Sequence, residues 1–495
     1  VTLVRRLLDQ AAATPDAVAL VAADGAPLSF GELRRRVLAV RHGLLAAGLR
    51  DGDRMLFSVR PSPESLVLAL GVVAAGGVVV FADPGAGPEM FAARLRLARP
   101  RWSAAESLLY AGTRLAPVRA WARRRGLLLP NLADLGIPHH VRAGRWLPGV
   151  PRGALSLAAL ERGPSPEPGA DGDPDAPAAV IFTSGTTEHP RAVVHTQGSL
   201  AAALDLFRAR LPLGPGDVVH TDQLMLGLPA LIAGARWSLP PLGGSPERFA
   251  RDLAARGATH TFCVPVHLAE ILDVAPRLPD SLRYVLLGAA PAPAAILRRA
   301  VAAAPAAEVL SVYAMTEILP VALATAAEKL AHTASGADGD LVGTPLADAT
   351  LAPDGELLLS GPNLCRGYLG DPPLDRLATG DLARLDGGRL VLTGRKKDML
   401  IRGKFNLYPG LYEPAVAALP GVDEAAITGV PDPATGDERV VLAITGTATP
   451  AALRRRLPGV LDHAALPDEI VVLPALPRTG RSRKLDRAAL RELVR

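Results

Sequence analysis

Apolar and polar positions along the chain switch repeatedly between a helical and a strand period. Leu33 to Ala47 carries apolar residues at helical spacing with arginines on its polar face, and Met55 to Val59 is a short strand-like run. Pro63 to Ala75 again has the helical pattern, and the β-branched residues Val78, Val79 and Val80 with Phe81 predict a buried strand. The apolar run from Leu66 to Ala82 approaches a membrane span in length, but Gly76-Gly77 splits it, so it predicts helix, turn and strand. Further strands are expected at Ala178 to Phe182 and Tyr284 to Leu287, and a surface loop over the Pro/Gly-rich residues 163–174. This rhythm predicts an α/β fold of layered, largely parallel sheets with helices.

Past Leu351 the pattern changes. Gly355 to Leu359, the turn Asp386-Gly387-Gly388, and Arg389 to Leu392 form short strands closed by tight turns. From Gly394 strand and helix alternate again, with strands at Glu424 to Val430 and Arg439 to Ile444. We therefore expect a large N-terminal domain, residues 1–393, with a small β-barrel-like part, and a small α+β C-terminal domain, residues 394–495.

Composition narrows the class. Among 495 residues, 49% are hydrophobic and 21% charged, which excludes a disordered chain. A net charge of +5 with no basic block argues against a nucleic-acid partner. Two cysteines, Cys263 and Cys365, are too few for a disulfide framework and read as small buried residues. The opening residues Val1 to Leu7 lack the apolar centre of a signal peptide, so a soluble cytoplasmic protein without a membrane span is expected. Arginine is the default cation. The five lysines, Lys329, Lys396, Lys397, Lys404 and Lys484, stand out against it.

The strand Val180-Ile181-Phe182 runs into Thr183, Ser184, Gly185, Thr186 and Thr187, followed by Glu188, His189, Pro190 and Arg191. Small hydroxyl residues and a glycine after a strand let N–H and O–H donors surround phosphate oxygens, and Arg191 adds charge. The same residues also suit an ordinary loop, and the Gly-Lys-Ser/Thr ending of a Walker loop is absent. Four later segments decide between these: Tyr313-Ala314-Met315-Thr316-Glu317, Thr379-Gly380-Asp381, Gly394-Arg395-Lys396-Lys397-Asp398, and Ser482-Arg483-Lys484-Leu485-Asp486-Arg487. With the hydroxyl-rich loop they resemble, in order and across the chain, the adenylate-forming superfamily of acyl-CoA synthetases, peptide-synthetase adenylation domains and luciferases. Residues 59–64, 82–85, 316–321 and 484–487 are most similar to the β-lactone synthetases of bacterial olefin biosynthesis, whereas Asp398 to Gly403 and Asn406 to Pro409 look like ordinary acyl-CoA ligases.

The resemblance implies attack of a carboxylate on the α-phosphate of ATP, giving an acyl-adenylate and pyrophosphate. Two anions must meet, so positioning and charge neutralisation carry the catalysis. On this resemblance Thr183 to Thr187 and Arg191 hold the β- and γ-phosphates, Thr316 touches the α-phosphate, and Glu317 ligates Mg²⁺. Read without it, Thr316 and Glu317 would also suit a helix N-terminus, as N-cap threonine and first-turn acid. The resemblance further places Gly288, Ala289, Ala290 and Pro291 on one face of adenine and Tyr313 on the other. It gives Asp381 to the ribose hydroxyls and Arg395 to ribose or phosphate. Lys484 bridges α-phosphate and carboxylate as the lysine of a mobile C-terminal domain, and Lys397 is the hinge.

Three departures bear on the outcome. Glu188 puts a carboxylate beside the phosphate loop, Ala314 replaces a usual glycine, and Lys404 follows Gly403 where CoA ligases commonly carry a second glycine that lets the pantetheine arm pass. The apolar residues within 222–228 suit an aliphatic chain. The reading that follows is an AMP-forming ligase acting on a fatty or β-hydroxy-fatty acid. Its adenylate is captured by a nucleophile other than CoA, such as the substrate's own β-hydroxyl. The alternatives are an acyl-CoA or carrier-protein ligase, and a nucleotide-binding relative that has lost turnover.

Overall fold

The split apolar run resolves as its sequence predicts. Ser62 and Ser65 form a reciprocal capping box that starts the helix Pro63–Ala74, with Pro63 in the first turn, and the strand Val78–Phe81 follows across the glycine pair. The computed structural model describes residues 1–82, 88–124, 130–169, 171–182, 191–398, 400–402, 405–407, 409–431, 438–461, 465–479 and 483–495. These group into two units. One comprises residues 1–244 with the returning segments 316–319 and 362–375; the other comprises 245–315, 320–361 and 376–495.

The first unit is built on a sheet whose parallel part runs Pro177–Phe182, Val78–Phe81, Arg54–Ser58, Trp102–Glu106, His139–Ala143 and Leu155–Ser156. Ala192–Thr196 and then Gly367–Tyr368 add antiparallel to the Pro177–Phe182 edge. Its core gathers Phe30, Leu33, Met55, Trp102 and Trp237, all nearly inaccessible. The strands buried on both faces are continuous apolar runs, as parallel sheets require.

In the second unit His260–Cys263, Tyr284–Leu287 and Glu308–Tyr313 are parallel neighbours, so the loops after them leave the same edge. Beyond Tyr313 the ladder turns antiparallel through Ala322–Thr325, Asp340–Pro345, Arg389–Arg395, Leu377–Asp386, Glu356–Ser360 and Asp348–Leu351. This accounts for the change of pattern read near Leu351. A separate three-stranded sheet contains Val422–Pro431, Glu438–Gly446 and Glu469–Val472, over the core of Val416, Leu442, Ile444 and Leu453.

Both cysteines are buried thiols. Lys329, 4% exposed, ends against Asp340 and donates to the Leu341 carbonyl at 2.8 Å, so one of the five lysines is a structural cross-link. Among the described residues no helix is long and apolar enough to cross a membrane.

Candidate active site

Two clusters of sequence-predicted residues form, one within each unit. In the second unit the strand ending at Tyr313 and the hairpin Leu377–Asp386/Arg389–Arg395 bring together Tyr313, Asp381 and Arg395. Asp381 and Arg395 are direct cross-strand partners, so the guanidinium meets the carboxylate. Arg395 Nε lies 2.5 Å from Asp381 Oδ1, and the Tyr313 hydroxyl donates to Oδ2 at 2.6 Å. The Asp381 side chain is 2% exposed. Burial and the adjacent carboxylate push the Tyr313 hydroxyl well above its ordinary value, which keeps it a donor.

Asp381 is aimed by a bulge. Gly380 takes a left-handed φ of 72°, and the pairing register shifts between Glu356 and Leu358 opposite this stretch. The Asp381 N–H donates to Thr379 Oγ at 3.0 Å, while Gly380 N–H donates to Glu356 Oε1 at 2.8 Å. Glu356 and Asp354 each accept from Lys396 Nζ at 2.6 Å, and this ammonium holds both carboxyls below the usual range. The residue before the expected hinge is thereby tied to the antiparallel ladder.

Gly288 begins the loop after Tyr284–Leu287, a strand with the bounds the sequence predicts. A Cβ on Gly288 would lie 2.7 Å from the Phe262 ring and 3.3 Å from the Val312 carbonyl, so only glycine fits between the neighbouring strands. Ala289 then adopts a left-handed φ of 65°, a strained choice for a residue with a Cβ. Ala290 and Pro291 continue the loop on the edge where Tyr313 ends its strand.

The first unit contains the other cluster. Thr316 and Glu317 cap no helix; they lie in an irregular segment whose carbonyls are satisfied from outside. His195 Nε2 donates to the Thr316 carbonyl at 2.7 Å, Cys365 N–H to the Glu317 carbonyl at 2.8 Å, and Asn363 Nδ2 to the Leu319 carbonyl at 3.1 Å. The Thr316 carbonyl can only accept, which assigns the Nε2–H tautomer, and Nδ1 lies 3.2 Å from Ser199 Oγ. Burial holds His195 below its ordinary pKa, against the pull of the Thr316 carbonyl and Glu317. The Tyr368 hydroxyl donates to Glu317 Oε1 at 3.0 Å, and the Arg191 guanidinium lies 5.2 Å from the centre of the Tyr368 ring. Sequence reading missed His195, Tyr368 and Glu356. The signals available were a histidine inside the apolar strand Ala192–Thr196 and an aromatic in a chain with only six tyrosines.

Thr183, Ser184, Gly185, Thr186, Thr187 and Glu188 lie outside the described residues, as do Gly403 and Lys404. Lys397 sits in the short 3-10 turn Lys396–Asp398. Lys484 opens the strand Lys484–Leu485, paired with Arg478–Thr479, and is exposed. Its neighbour Arg483 has φ 47° and pairs with Glu270 at 2.5 Å. Three residues on, Arg487 holds Glu413 with two nitrogens, at 2.8 and 2.9 Å, and Asp398 at 3.2 Å, which anchors the ribbon to the segment just past Lys397.

Residues 7–369 match the AMP-binding enzyme family and residues 412–483 the AMP-binding enzyme C-terminal domain. The sulfoacetate–CoA ligase of Cupriavidus necator is 30% identical over 521 residues, covering 99% of this chain and 97% of the relative. A feruloyl-CoA synthase from an Amycolatopsis species is 30% identical over 504 residues, with 93% of each chain covered. Among solved structures, the amide bond synthetase McbA of Marinactinospora thermotolerans shares the fold at TM-score 0.83 and 24% identity, over 99% of both chains. ATP-bound MatB from Rhodopseudomonas palustris superposes at TM-score 0.79 with 26% identity, covering 100% of this chain and 99% of that one. The chain therefore belongs to the AMP-binding enzyme family, the adenylate-forming superfamily of AMP-forming acid ligases.

Proposed function

We propose that the protein activates a fatty or β-hydroxy-fatty acid with ATP and passes the acyl group to a nucleophile other than CoA. The observation that carries the nucleotide half is the buried Asp381 carboxylate, held by Tyr313 and Arg395 on a purpose-made bulge. Asp381 receives the ribose hydroxyls, since its two oxygens offer about four acceptor sites and, among the described residues, Tyr313 and Arg395 use half of them. Gly288 to Pro291 and the Tyr313 ring take the adenine faces. Thr183 to Thr187 and Arg191 take the terminal phosphates, and Thr316 the α-phosphate.

Among the described residues no group of three or more His, Cys, Asp or Glu could cage a metal. That suits Mg²⁺, which keeps waters, shares substrate phosphate oxygens and needs one or two carboxylates from protein. Glu317 is the carboxylate that fits. Bound there, Mg²⁺ supplies charge neutralisation of the phosphates.

Lys484 neutralises charge on the attacking carboxylate and the α-phosphate together, and residues 394–495 turn about Lys397 to bring it in and out. Two tethers support that pivot. Lys396 is fixed to Asp354 and Glu356 on one side, and Asp398 to Arg487 on the other.

The non-CoA acceptor rests on Lys404 in place of a glycine. A second reading, an acyl-CoA ligase, is favoured by the names of the relatives, a sulfoacetate–CoA ligase and a feruloyl-CoA synthase. Pyrophosphate exchange over a panel of carboxylic acids tests activation, and exchange with none of them refutes it. Incubation with ATP, CoA and a β-hydroxy acid then separates the acceptors. A β-lactone without thioester supports the first reading; a thioester alone establishes the second.

A further inference from the structure

Glu317 lies on a segment without regular structure, so no helix or ladder sets the direction of its side chain. Its carbonyl accepts from Cys365 N–H, and the segment around it is held by His195 on the Thr316 carbonyl, Asn363 on the Leu319 carbonyl and a bridge between Ile318 and Leu364. Its carboxylate is fixed by the hydroxyl of Tyr368 on Oε1. Tyr368 is itself well placed to do this. It pairs with Val193 in the strand that follows the phosphate loop, and Leu369 N–H donates to the Ala192 carbonyl at 2.8 Å. The Arg191 guanidinium covers its ring.

We infer that Tyr368 is a positioning residue that fills one acceptor site of Glu317 and so presents the remaining oxygen to a divalent cation. This rests on Glu317 being the metal carboxylate proposed above. A phenol suits the task because it orients a carboxylate without neutralising it, whereas a lysine or arginine in the same place would compete with the cation.

The test is calorimetric titration of the full chain with a non-hydrolysable ATP analogue, in chelator and across a Mg²⁺ series, for wild type, Tyr368→Phe and Glu317→Gln. No acid substrate is needed. Wild type gains nucleotide affinity as Mg²⁺ rises, and Glu317→Gln loses that gain. Tyr368→Phe keeps the ring and should need roughly tenfold more Mg²⁺ for half the gain, the order seen when a partner that orients a metal ligand is removed. Its affinity in chelator should stay within about twofold of wild type and saturating Mg²⁺ should restore binding, neither of which follows from general loosening of the site. If Glu317→Gln loses the gain and Tyr368→Phe has the wild-type Mg²⁺ midpoint, the positioning role is wrong and the metal assignment stands. If Glu317→Gln keeps the gain, the metal assignment falls and the positioning role with it. Equal weakening of Tyr368→Phe with and without Mg²⁺ also refutes it.

Discussion

Replacing Asp381 by asparagine would separate the proposed ribose contact from every other contribution to nucleotide binding. The carboxylate offers about four acceptor sites, of which Tyr313 at 2.6 Å and Arg395 at 2.5 Å take two. An amide offers one oxygen, and its NH₂ would face a donor on the other side. Asparagine can therefore satisfy Tyr313 or Arg395 but not both, and at least one ribose hydroxyl loses its acceptor. A hydrogen bond to a charged acceptor contributes about 1.5–3 kcal/mol, so ATP affinity should fall about 10- to 100-fold. The Asp381–Arg395 attraction is not added to this figure, because the Arg395 side chain is 44% exposed and solvent screens it.

The informative measurement is a cycle with 2′,3′-dideoxy-ATP, which lacks the hydroxyls. Wild type should prefer ATP by one to two orders of magnitude, and Asp381→Asn should lose most of that preference while binding the dideoxy analogue nearly as well as wild type does. Tyr313→Phe is the control. It frees Oδ2 without removing charge, so the preference should survive. If Asp381→Asn weakens both nucleotides alike and leaves their ratio unchanged, Asp381 supports the site without touching ribose, and the assignment is refuted.

Lys484→Ala should abolish pyrophosphate exchange, by roughly a hundredfold or more, with ATP affinity within about threefold of wild type; an equal loss of both would remove the bridging role. Gly288→Ala drives a methyl group to 2.7 Å from the Phe262 ring, so it should destabilise the fold by about 1–3 kcal/mol and weaken nucleotide binding, and unchanged urea denaturation and affinity would contradict the close packing. Lys329→Ala strips the buried Leu341 carbonyl of its Nζ donor and leaves Asp340, 28% exposed, to rehydrate. The loss should be about 2–3 kcal/mol in urea denaturation with nucleotide affinity retained, and a change below about 0.5 kcal/mol would show that the buried ammonium contributes nothing net.

Periodicity and turn chemistry reached the elements but not the distances between them. The triple valine at 78–80 and the apolar run 284–287 predict strands because a short continuous apolar run is the local pattern of a strand buried on both faces. Asp381 and Arg395, by contrast, meet through a cross-strand register that depends on a bulge at Gly380, and no local signal sets that offset. The left-handed Ala289 is equally silent in sequence, because alanine reads as a helix former. Thr316 and Glu317 had the composition of a helix start. They form none, because His195, Cys365 and Asn363 take the carbonyls of the segment from remote parts of the chain.

One regularity is common to the two clusters. In a chain with six tyrosines, two donate to the carboxylates that the sequence motifs single out: Tyr368 to Glu317 and Tyr313 to Asp381. The arginines then differ. Arg395 sits on the Asp381 carboxylate itself, which compensates its charge and leaves acceptor sites suited to neutral hydroxyls. Arg191 sits instead over the ring of Tyr368, whose hydroxyl donates to Glu317. On the roles proposed above, the place of the arginine relative to the tyrosine would separate the ribose acceptor from the metal ligand. The distinction is open to direct trial: the Glu317→Gln exchange should act on the metal dependence of nucleotide binding, the Asp381→Asn exchange on its sugar dependence, and neither on the other's readout. Crossed effects would mean that the two carboxylates are not specialised in this way.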